Sequence, residues 1–479
     1  MGQAQVVDPV ITGVTADSRQ VRPGFLFAAL PGSKVDGRKF IDAAVAAGAA
    51  AVLAPDDVSL ATTPVVHAAD LRRAYALAAA AFWRDQPAVC VAVTGTNGKT
   101  SVATFCRQIF ARLGRKAASM GTLGVTVSAS GAADVQVTPP GLTTPDAAEL
   151  AELMARLTAQ GVTHLALEAS SHGVDQRRLD GVRLTAAGFL NLTQDHLDYH
   201  GTMGVYRAAK LRLFETLLPP GATAVLNADS DQFAAFASAA SASDHAILST
   251  GAAGEGLHLR DRQARPDGQA LSIDHDGRRF EILLPLAGAF QAENALVAAG
   301  LCIAAGEPAG AVLAALEHLK GAPGRLQHVG VGPRGGDAYV DYAHTPDGLE
   351  TVLTALRPHT AGRLILVFGA GGDRDRGKRA LMGGIAARLA DVAIVTDDNP
   401  RSEAPATIRA EILAAASGAR DIGDRRQAIA AAAALLGPGD VLVVAGKGHE
   451  QGQLVAGVTH PFDDVVETAA ALGLEMAHG

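Results

Sequence analysis

The sequence predicts an α/β protein of three domains, a small amino-terminal one followed by two larger ones. Three observations predict this class. The chain has 479 residues, which is too long for one hydrophobic core. Apolar runs typical of strands alternate with helical patterns along much of the chain. Polar or glycine-rich loops follow several of these runs, as in parallel sheets that bind ligands at the carboxyl ends of their strands.

Composition and charge restrict the kind of protein. Hydrophobic residues make up 48% of the chain and charged residues 19%, which is typical of a folded soluble protein. The formal net charge of −8 argues against a general binder of nucleic acid or of anionic membranes. The segment MGQAQVVDPV has neither a basic leader nor an apolar core, and no apolar run is long enough to span a bilayer. We therefore expect a cytoplasmic protein without nucleic-acid partners or stable membrane association.

The cysteines give a second indication of the compartment. Cys90, Cys106 and Cys302 are scattered along the chain and form no CxxC pair. Two of them lie in apolar segments, so we expect buried thiols in a reducing compartment.

Residues 1–87 are predicted to form the small amino-terminal α/β domain. Apolar runs at 24–30 and 50–54 indicate strands, and an alanine-rich helix begins near Phe40 between them. A polar turn at 16–19 is able to hydrogen-bond a ligand, although a solvated turn explains the same residues. A helix from Asp70 to Trp83 then leads to the domain boundary near Pro87.

The central domain, predicted at 88–324, is organised around a glycine-rich turn. The apolar run 89–93 indicates a buried strand, and the turn 94–98 leads into a helix that begins near Lys99 and ends before Gly114. Such a turn directs backbone N–H groups and the positive end of the helix dipole toward one point. Lys99 would neutralise the outer phosphates of a nucleotide, and Thr100 would bind magnesium. The loop is a shortened variant, because Val93 stands where the P-loop pattern has glycine.

Other strand ends in this domain carry candidate ligands. Glu168 follows an apolar strand at 164–167, His196 lies beyond another at 186–190, and a further polar loop occupies 143–146. A carboxylate and an imidazole near a phosphate loop suit magnesium or the orientation of its ligands. Lys210 lies on a helix, where a solvated amine on a packed stem is the expected arrangement.

The carboxyl-terminal domain, predicted at 325–479, repeats this pattern. Strands at 337–340, 364–368, 392–395 and 441–444 each lead to a polar loop, which describes a Rossmann-like domain. It contains no G-x-G-x-x-G, and this disfavours an oxidoreductase. The loops combine Arg374, Arg376, Arg401, Asp398 and Glu450, a set that suits a zwitterionic amino acid. A mutually salt-bridged surface is the alternative.

A series of segments resembles the motifs of the Mur ligases over nearly the full length of the chain. In order, these segments are TGTNGKTS, LTTPD, EASSHG followed by QRR, NLTQDHLDYHG, YRAAK, APGRLQ, DYAHTPD, GGDRDRGKR, DDNPR and GKGHE. The resemblance implies a P-loop-type ATPase domain in the centre and an ATP-dependent ligase that forms amide bonds.

The resemblance also implies roles for individual residues. It implies catalytic roles for Lys99, Glu168, His196 and Lys210. The ATP-binding set is Gly95, Thr96, Asn97, Gly98, Lys99, Thr100, Ser101, Asn294, Arg325, Asp341 and His344. Magnesium would be bound by Thr100, Glu168, His196 and Lys210, the last if its amine is carbamylated as in the family. The UDP-sugar dipeptide set is Ser18, Thr143, Thr144, Ser170, Gln176 and Arg178.

The implied amino-acid pocket consists of Arg374, Asp398, Asn399, Pro400, Arg401, Gly446 and Glu450. Its DNPR segment is similar to that of relatives that add diaminopimelate, whereas relatives that add lysine lack the arginine. Arg401 could pair bidentately with the second carboxylate of diaminopimelate, a group that lysine does not have. The implied reaction adds meso-diaminopimelate to UDP-N-acetylmuramoyl-L-alanyl-D-glutamate for peptidoglycan synthesis. ATP and Mg²⁺ are the expected cofactors, and a monomer that closes about a hinge near 324–327 is the expected form.

Two other functions stay open from the sequence. A folate polyglutamate synthetase shares the same chemistry of carboxylate activation, although the amino-terminal domain and the DNPR segment speak against it. A P-loop switch that hydrolyses nucleotide without ligating anything is the alternative from another class of protein.

Overall fold

A computed structural model describes residues 8–32 and 35–475. Most of the segment on which the leader argument rests, residues 1–7, lies outside the described residues. Two compact units make up the chain: unit 1 comprises residues up to Thr250 with Val297–Ala309, and unit 2 comprises Gly251–Leu296 with the residues from Gly310 onward. This division differs from the domain ranges 1–87, 88–324 and 325–479, which stay a prediction.

The first sheet of unit 1 is small and parallel. Its strands are β1 (Gly13–Thr15), β2 (Phe25–Ala28), β3 (Ala51–Ala54) and β4 (Val65–His67), in that spatial order. The helices in this part are α1 (Ile41–Ala46) and α2 (Leu71–Trp83). Asp70 caps α2 by accepting a hydrogen bond from Arg73 N at 3.0 Å. Both predicted strands and both predicted helices are confirmed, while β1 and β4 are too short to show a clear apolar pattern.

The main sheet of unit 1 contains the glycine-rich turn. Its strands are β5 (Val89–Thr94), β6 (Ala117–Gly121), β7 (Gly124–Ser128), β8 (Val135–Thr138), β9 (His164–Glu168), β10 (Ala186–Phe189), β11 (Thr223–Asn227) and β12 (Ala246–Gly251). They lie in the order β12-β11-β10-β5-β9-β6-β7-β8. The strands from β12 to β6 run parallel, and β7 and β8 continue the sheet antiparallel. The loops after β10, β5 and β9 therefore emerge side by side at one edge.

Helices cover the faces of this sheet. They are α3 (Lys99–Arg112), α4 (Ala147–Ala159), α5 (Ser171–Asp175), α6 (Leu197–His200), α7 (Met203–Arg212) and α8 (Phe233–Ala242). The core of this sheet is apolar and partly aromatic: the buried rings of Phe189 and Phe236 stack with centroids 3.6 Å apart. Cys90, Cys106 and Cys302 are all free and buried, which confirms the prediction of buried thiols.

Unit 2 contains two groups of strands, one antiparallel and one mainly parallel. The first contains β13 (Leu257–Arg265), β14 (Gly268–His275) and β15 (Arg278–Leu284). The second contains β16 (Gln327–Val331), β17 (Asp337–Asp341), β18 (Leu364–Phe368), β19 (Val392–Val395), β20 (Arg420–Asp421) and β21 (Val441–Ala445). The four strands predicted here are β17, β18, β19 and β21, and the sheet order β16-β17-β21-β18-β19-β20 makes them neighbours.

The remaining elements complete the chain. A hairpin is formed by β22 (Gly452–Val455) and β23 (Val458–Pro461). The helices are α9 (Ala289–Ala304), α10 (Ala309–Ala315), α11 (Pro346–Leu356), α12 (Gly377–Leu389), α13 (Pro405–Leu413), α14 (Arg425–Ala433) and α15 (Asp464–Ala471). Among residues 8–32 and 35–475, none of the helices combines the length and the hydropathy that a membrane crossing requires.

Candidate active site

The phosphate loop, Gly95–Gly98, joins β5 to α3 as the sequence predicts. Gly98 adopts φ 89°, a left-handed conformation that is strained for residues with a side chain. Gly98 is the N-cap of α3, and no side chain caps this helix. The first N–H groups of α3 can therefore bind an anion. The Lys99 ammonium donates to Gly95 O and Thr96 O, both at 2.8 Å. These two bonds hold the Lys99 ammonium against the phosphate loop.

The loop that follows β10 supports the phosphate loop from one side. Asn191 O accepts from Thr96 N at 3.0 Å, and Asn191 Oδ1 accepts from Asn97 N at 2.9 Å. Thr193 N donates to Thr96 Oγ1 at 2.9 Å. Two neighbouring strand ends thus share one hydrogen-bond network, which restricts the conformation of the loop.

On the opposite side, Glu168 ends β9 almost fully buried, with 3% of its surface exposed. Its Oε2 accepts from Thr100 Oγ1 at 3.1 Å, and its Oε1 accepts from Thr122 N at 2.9 Å. A Cβ at Gly121 would lie 1.9 Å from Glu168 Oε1, so this position requires glycine. Sequence reasoning missed Gly121 and Thr122, because nothing in the local pattern of β6 marks its end as facing a carboxylate.

This arrangement fits the predicted magnesium ligands in part. Thr100 and Glu168 present a hydroxyl and a carboxylate to each other, and hard oxygen donors are what Mg²⁺ prefers. Within the described residues, no group of three or more His, Cys, Asp or Glu side chains is arranged so that it could hold a metal ion.

Lys210 is buried, so the expectation of a solvated amine is wrong. The residue is 1% exposed, and its ammonium donates to Gly95 O at 2.7 Å while lying 4.6 Å from the centre of the Tyr206 ring. Burial, followed by the nearby charge of Lys99, places the pKa of Lys210 well below its usual range. A lowered amine pKa favours the neutral form that carbamylation requires.

His196 is the most exposed member of the predicted metal set, with 46% of its side chain accessible. It caps α6 with a left-handed backbone at φ 51°. Its Nε2 lies 3.5 Å from Asp195 Oδ2, and its ring centre lies 4.9 Å from that of His172. The structure places it in an aromatic cluster; its metal role stays a prediction.

Four of the residues predicted to bind the sugar dipeptide form one network around Glu168. Thr144 Oγ1 donates to Glu168 O at 2.9 Å and lies 2.9 Å from Ser170 Oγ. The Arg178 guanidinium donates to Thr144 O at 2.6 Å and to Gln176 Oε1 at 2.7 Å. These side chains are thus fixed before a ligand arrives.

The other two members are placed differently. Thr143 Oγ1 lies 3.0 Å from Thr122 Oγ1, which joins it to the same edge of the sheet. Ser18 begins a short 3₁₀ helix, Ser18–Gln20, that Asp17 caps. Ser18 belongs with the small parallel sheet, and its ligand role stays a prediction.

The residues predicted to contact the nucleotide in unit 2 lie along one path. Asn294 Nδ2 donates to Gln291 Oε1 at 3.2 Å, and Gln291 Nε2 donates to Arg325 O at 3.3 Å. Asp341 accepts from Leu326 N at 2.6 Å and from Ala343 N at 2.7 Å.

Arg325 and Asp341 also influence each other electrostatically. Burial raises the pKa of Asp341, and the charge of Arg325 opposes this rise. The Arg325 guanidinium stacks over Tyr342, 4.5 Å from the ring centre. The ring of His344 lies 4.6 Å from that of Tyr342.

The predicted amino-acid pocket is formed by the loops after β19 and β21. Asn399 Nδ2 donates to Glu450 Oε2 at 2.9 Å. Asp398 is 5% exposed, and Gly446 adopts φ 126°, with its Cβ position 3.2 Å from Asp398 Oδ2. Arg401 adopts φ 53° and donates from Nη1 to Gly372 O at 2.7 Å.

The two arginines that follow β18 differ. Arg374 is exposed. Arg376 pairs with Glu411 at 2.6 Å and lies 3.9 Å from Glu403. Arg376 thus belongs to a salt-bridged surface, which was the alternative interpretation. Arg374 and Arg401 remain the arginines predicted to bind the amino acid.

The first prediction concerns His449, which lies beside Tyr342. Burial, followed by the charge of Arg325, lowers the pKa of His449 from 6.5 to about 4. Above pH 6.5 neither the folded nor the unfolded state is protonated, and the stabilisation is complete. As the pH falls toward 4, only the unfolded imidazole takes up a proton, so the free energy of unfolding decreases. We expect a loss of about 1–2 kcal/mol after solvent screening is allowed for.

Urea unfolding at about pH 7.5 and about pH 4.5 measures this effect. The His449→Gln variant should lose about 1–2 kcal/mol less than the wild type between these pH values. If both proteins lost the same free energy of unfolding, the pH dependence could not be assigned to His449.

A cavity in unit 2 lies apart from the predicted site residues. It has a volume of about 570 Å³, and its lining includes Leu286, Leu319 and Tyr339. None of the predicted catalytic or binding residues lines it.

Together, the fold and the loop define a class: an α/β protein with a P-loop-type turn between a central parallel strand and a helix. Family models match three parts of the chain. The Mur ligase family catalytic domain matches residues 10–89, the Mur ligase middle domain 93–302, and the Mur ligase glutamate ligase domain 324–448. The chain belongs to the Mur ligase family, and the predicted three-domain α/β class is confirmed.

Similar proteins narrow the comparison. A UDP-N-acetylmuramoyl-L-alanyl-D-glutamate–2,6-diaminopimelate ligase of Caulobacter vibrioides is 71% identical over 97% of this chain and 96% of its own. A solved structure of a ligase with the same name is 35% identical, with a TM-score of 0.74 over 97% of this chain and 95% of its own. A folylpolyglutamate synthase of Mycobacterium tuberculosis is 19% identical, with a TM-score of 0.62 over 78% of this chain and 92% of its own. That third likeness shows the fold alone.

Proposed function

We propose that this protein is an ATP-dependent ligase that adds meso-diaminopimelate to UDP-N-acetylmuramoyl-L-alanyl-D-glutamate in peptidoglycan precursor synthesis. The observation that carries the proposal is the 71% identity, over 97% of the chain, to a ligase named for these two substrates. The Asp398–Arg401 loop and its bond to Glu450 support the choice of amino acid.

The reaction begins with transfer of the ATP γ-phosphoryl group to the free carboxylate of the D-glutamate residue, which gives an acyl phosphate. The Lys99 ammonium and the N–H groups at the start of α3 stabilise the phosphate charge. The amine of diaminopimelate then attacks the acyl carbon, and inorganic phosphate leaves from the tetrahedral intermediate. Positioning supplies much of the acceleration, because the reactants become effectively intramolecular.

The second amino-acid centre of diaminopimelate decides selectivity. It carries an ammonium and a carboxylate, which Glu450 and Arg401 respectively are suited to bind. Lysine has the ammonium without the carboxylate. Arg401 therefore favours diaminopimelate.

Magnesium is part of the proposal. Thr100 and Glu168 would hold Mg²⁺, with His196 and a carbamylated Lys210 near a second ion. The ion would supply neutralisation of the phosphate charge.

A coupled assay tests the function by measuring phosphate release with and without the UDP-sugar dipeptide and diaminopimelate. The mass of the product is determined by mass spectrometry. We expect release that requires both acceptors and a product heavier by one diaminopimelate residue. Release independent of both would indicate a nucleotide-hydrolysing switch. Ligation of glutamate to folate would indicate a folate polyglutamate synthetase.

The second prediction concerns Glu168→Gln. The neutral amide keeps the shape of Glu168 but lowers the affinity for a divalent cation. We expect the Mg²⁺ concentration for half-maximal activity to rise about tenfold or more, which corresponds to the loss of one charged ligand. A magnesium titration after chelation with EDTA measures this shift.

The matched control for that titration is Glu307→Gln. Glu307 is a buried carboxylate of unit 1 that pairs with Arg115 at 2.8 Å. Its Mg²⁺ requirement should match that of the wild type. An unchanged requirement in Glu168→Gln would remove Glu168 from the metal site.

The proposal also includes a monomeric enzyme in the cytoplasm. Analytical ultracentrifugation and cell fractionation test these two parts.

A further inference from the structure

We propose that Lys447 is a positioning residue of the amino-acid pocket, which holds Asn399 and Glu450 in the orientation that receives diaminopimelate. The inference rests on the proposed function and deepens it. The resemblance to the family assigned ligand roles to Gly446 and Glu450 and left Lys447, which lies between them in the chain, without one.

Lys447 is buried among oxygen atoms of the pocket. Its side chain is 0% exposed, and a buried ammonium is costly unless oxygen atoms surround it. Its Nζ donates to Gly452 O at 2.7 Å and to Asn399 Oδ1 at 2.9 Å. Carboxylate oxygens of Asp398 and Glu450 lie 3.6 Å and 3.9 Å away. Lys447 therefore contacts residues of the pocket directly.

Lys447 helps to fix the orientation of the Asn399 amide. Its Oδ1 accepts from both Lys447 Nζ and Leu454 N, each at 2.9 Å. A flipped amide would bring its NH₂ group against these two donors, so the flip is unfavourable. The observed orientation directs Nδ2 toward Glu450 Oε2 at 2.9 Å. Lys447 thus determines which end of the Asn399 amide faces Glu450.

Lys447 also joins separate segments of the pocket. The loop after β19 is bonded to β22, because Arg401 N donates to Leu454 O at 3.0 Å and Gln453 Nε2 donates to Asp398 O at 2.8 Å. Lys447 belongs to the loop after β21 and bonds to β22 through Gly452 O. One ammonium therefore links both pocket loops to the same hairpin.

Lys447 also offsets negative charge in the pocket. Asp398 and Glu450 are two carboxylates within 4 Å of the Lys447 ammonium, and Lys447 offsets part of their mutual repulsion. Without Lys447, Asp398 and Glu450 would repel each other more strongly, and Asn399 would lose one of the two donors that orient it. Glu450 would then leave its position beside Asn399.

The test is Lys447→Met, which keeps the length of the side chain and removes its charge and donors. We expect the KM for diaminopimelate to rise about tenfold or more, as for the loss of a charge-assisted hydrogen bond. The KM values for ATP and for the UDP-sugar dipeptide should stay within about twofold of wild type, and kcat at saturating diaminopimelate within about threefold. The control is Lys116→Met, an exposed lysine of unit 1 that donates to Gln160 O at 2.6 Å.

A coupling measurement separates positioning from a merely structural role. If Lys447 acts through Asn399, the double variant Asn399→Ala/Lys447→Met should have nearly the same KM for diaminopimelate as Asn399→Ala alone. Fully additive effects would overturn the inference. The inference would also be overturned if Lys447→Met raised all three KM values together, lowered kcat and lowered the melting temperature.

Two results need a further variant or a separate reading. If Lys447→Met does not fold, Lys447→Gln decides, since the neutral, shorter amide should raise the same KM. An unchanged KM in the folded variant removes the role of Lys447 and leaves the proposed function intact. A wild type that does not ligate diaminopimelate overturns the proposed function and this inference together.

Discussion

Replacing Lys99 with methionine is expected to lower the rate of ligation by about a hundredfold to a thousandfold. The Lys99 ammonium lies at the phosphate loop, where it bonds to Gly95 O and Thr96 O at 2.8 Å. In the proposed reaction it neutralises charge that builds up on the transferred phosphoryl group, and methionine cannot do so. Single-turnover measurement of acyl phosphate formation would locate the effect in the chemical step.

Lys116→Met is the matched control for this variant. It makes the same chemical change in unit 1, at an exposed lysine that bonds a main-chain carbonyl. Its rate should stay within about twofold of wild type. Melting temperatures of both variants show whether either substitution lowers the stability of the fold. A Lys99→Met enzyme with more than about a tenth of wild-type activity would contradict the proposed role.

Replacing Arg401 with alanine is expected to raise the KM for diaminopimelate about a hundredfold and to affect kcat much less. The expected size is that of a lost bidentate pair between a guanidinium and a carboxylate, about 2–3 kcal/mol. The Arg401 backbone is bonded to β22, and its Nη1 bonds to Gly372 O, so the side chain is held in place before the ligand arrives. Steady-state ligation with varied diaminopimelate measures the effect.

Lysine as a substrate gives the second readout for Arg401. The wild type should prefer diaminopimelate strongly over lysine. Arg401→Ala should reduce this preference, because lysine lacks the second carboxylate and its binding does not depend on the arginine. Arg376→Ala is the control, since its side chain pairs with Glu411 at 2.6 Å. Equal use of lysine and diaminopimelate by the wild type would refute the selectivity argument.

Local patterns predicted nine of the strands that the structure describes, and they missed others such as β6–β8 and β11–β16. The run 89–93, the turn and the helix after Lys99 became β5, the phosphate loop and α3. The strands β17, β19 and β21 were also predicted, because each contains an apolar run bounded by polar residues. They lead to Asp341, Asp398 and the 446–450 loop. The very short β1, β4 and β20 carry too few residues for a period to show.

The candidate site was predictable only as separate loops. Thr122 was missed because its contact with Glu168 joins positions 46 residues apart. Lys210 was misread as solvated, since its helix pattern does not reveal that Gly95 and Tyr206 cover it. Lys447 was visible in its motif, but its partner Asn399 is 48 residues away.

Local sequence was enough to predict the strands that lead to the site, the loops that follow them and the chemical types of the site residues, because these depend on neighbours along the chain. That Glu168 and Lys210 flank the phosphate loop, and that Lys447 is buried beside Asn399, becomes visible only in the folded chain. Burial and hydrogen bonding depend on groups that are distant in sequence. Free energies of desolvation are therefore set by the fold as a whole.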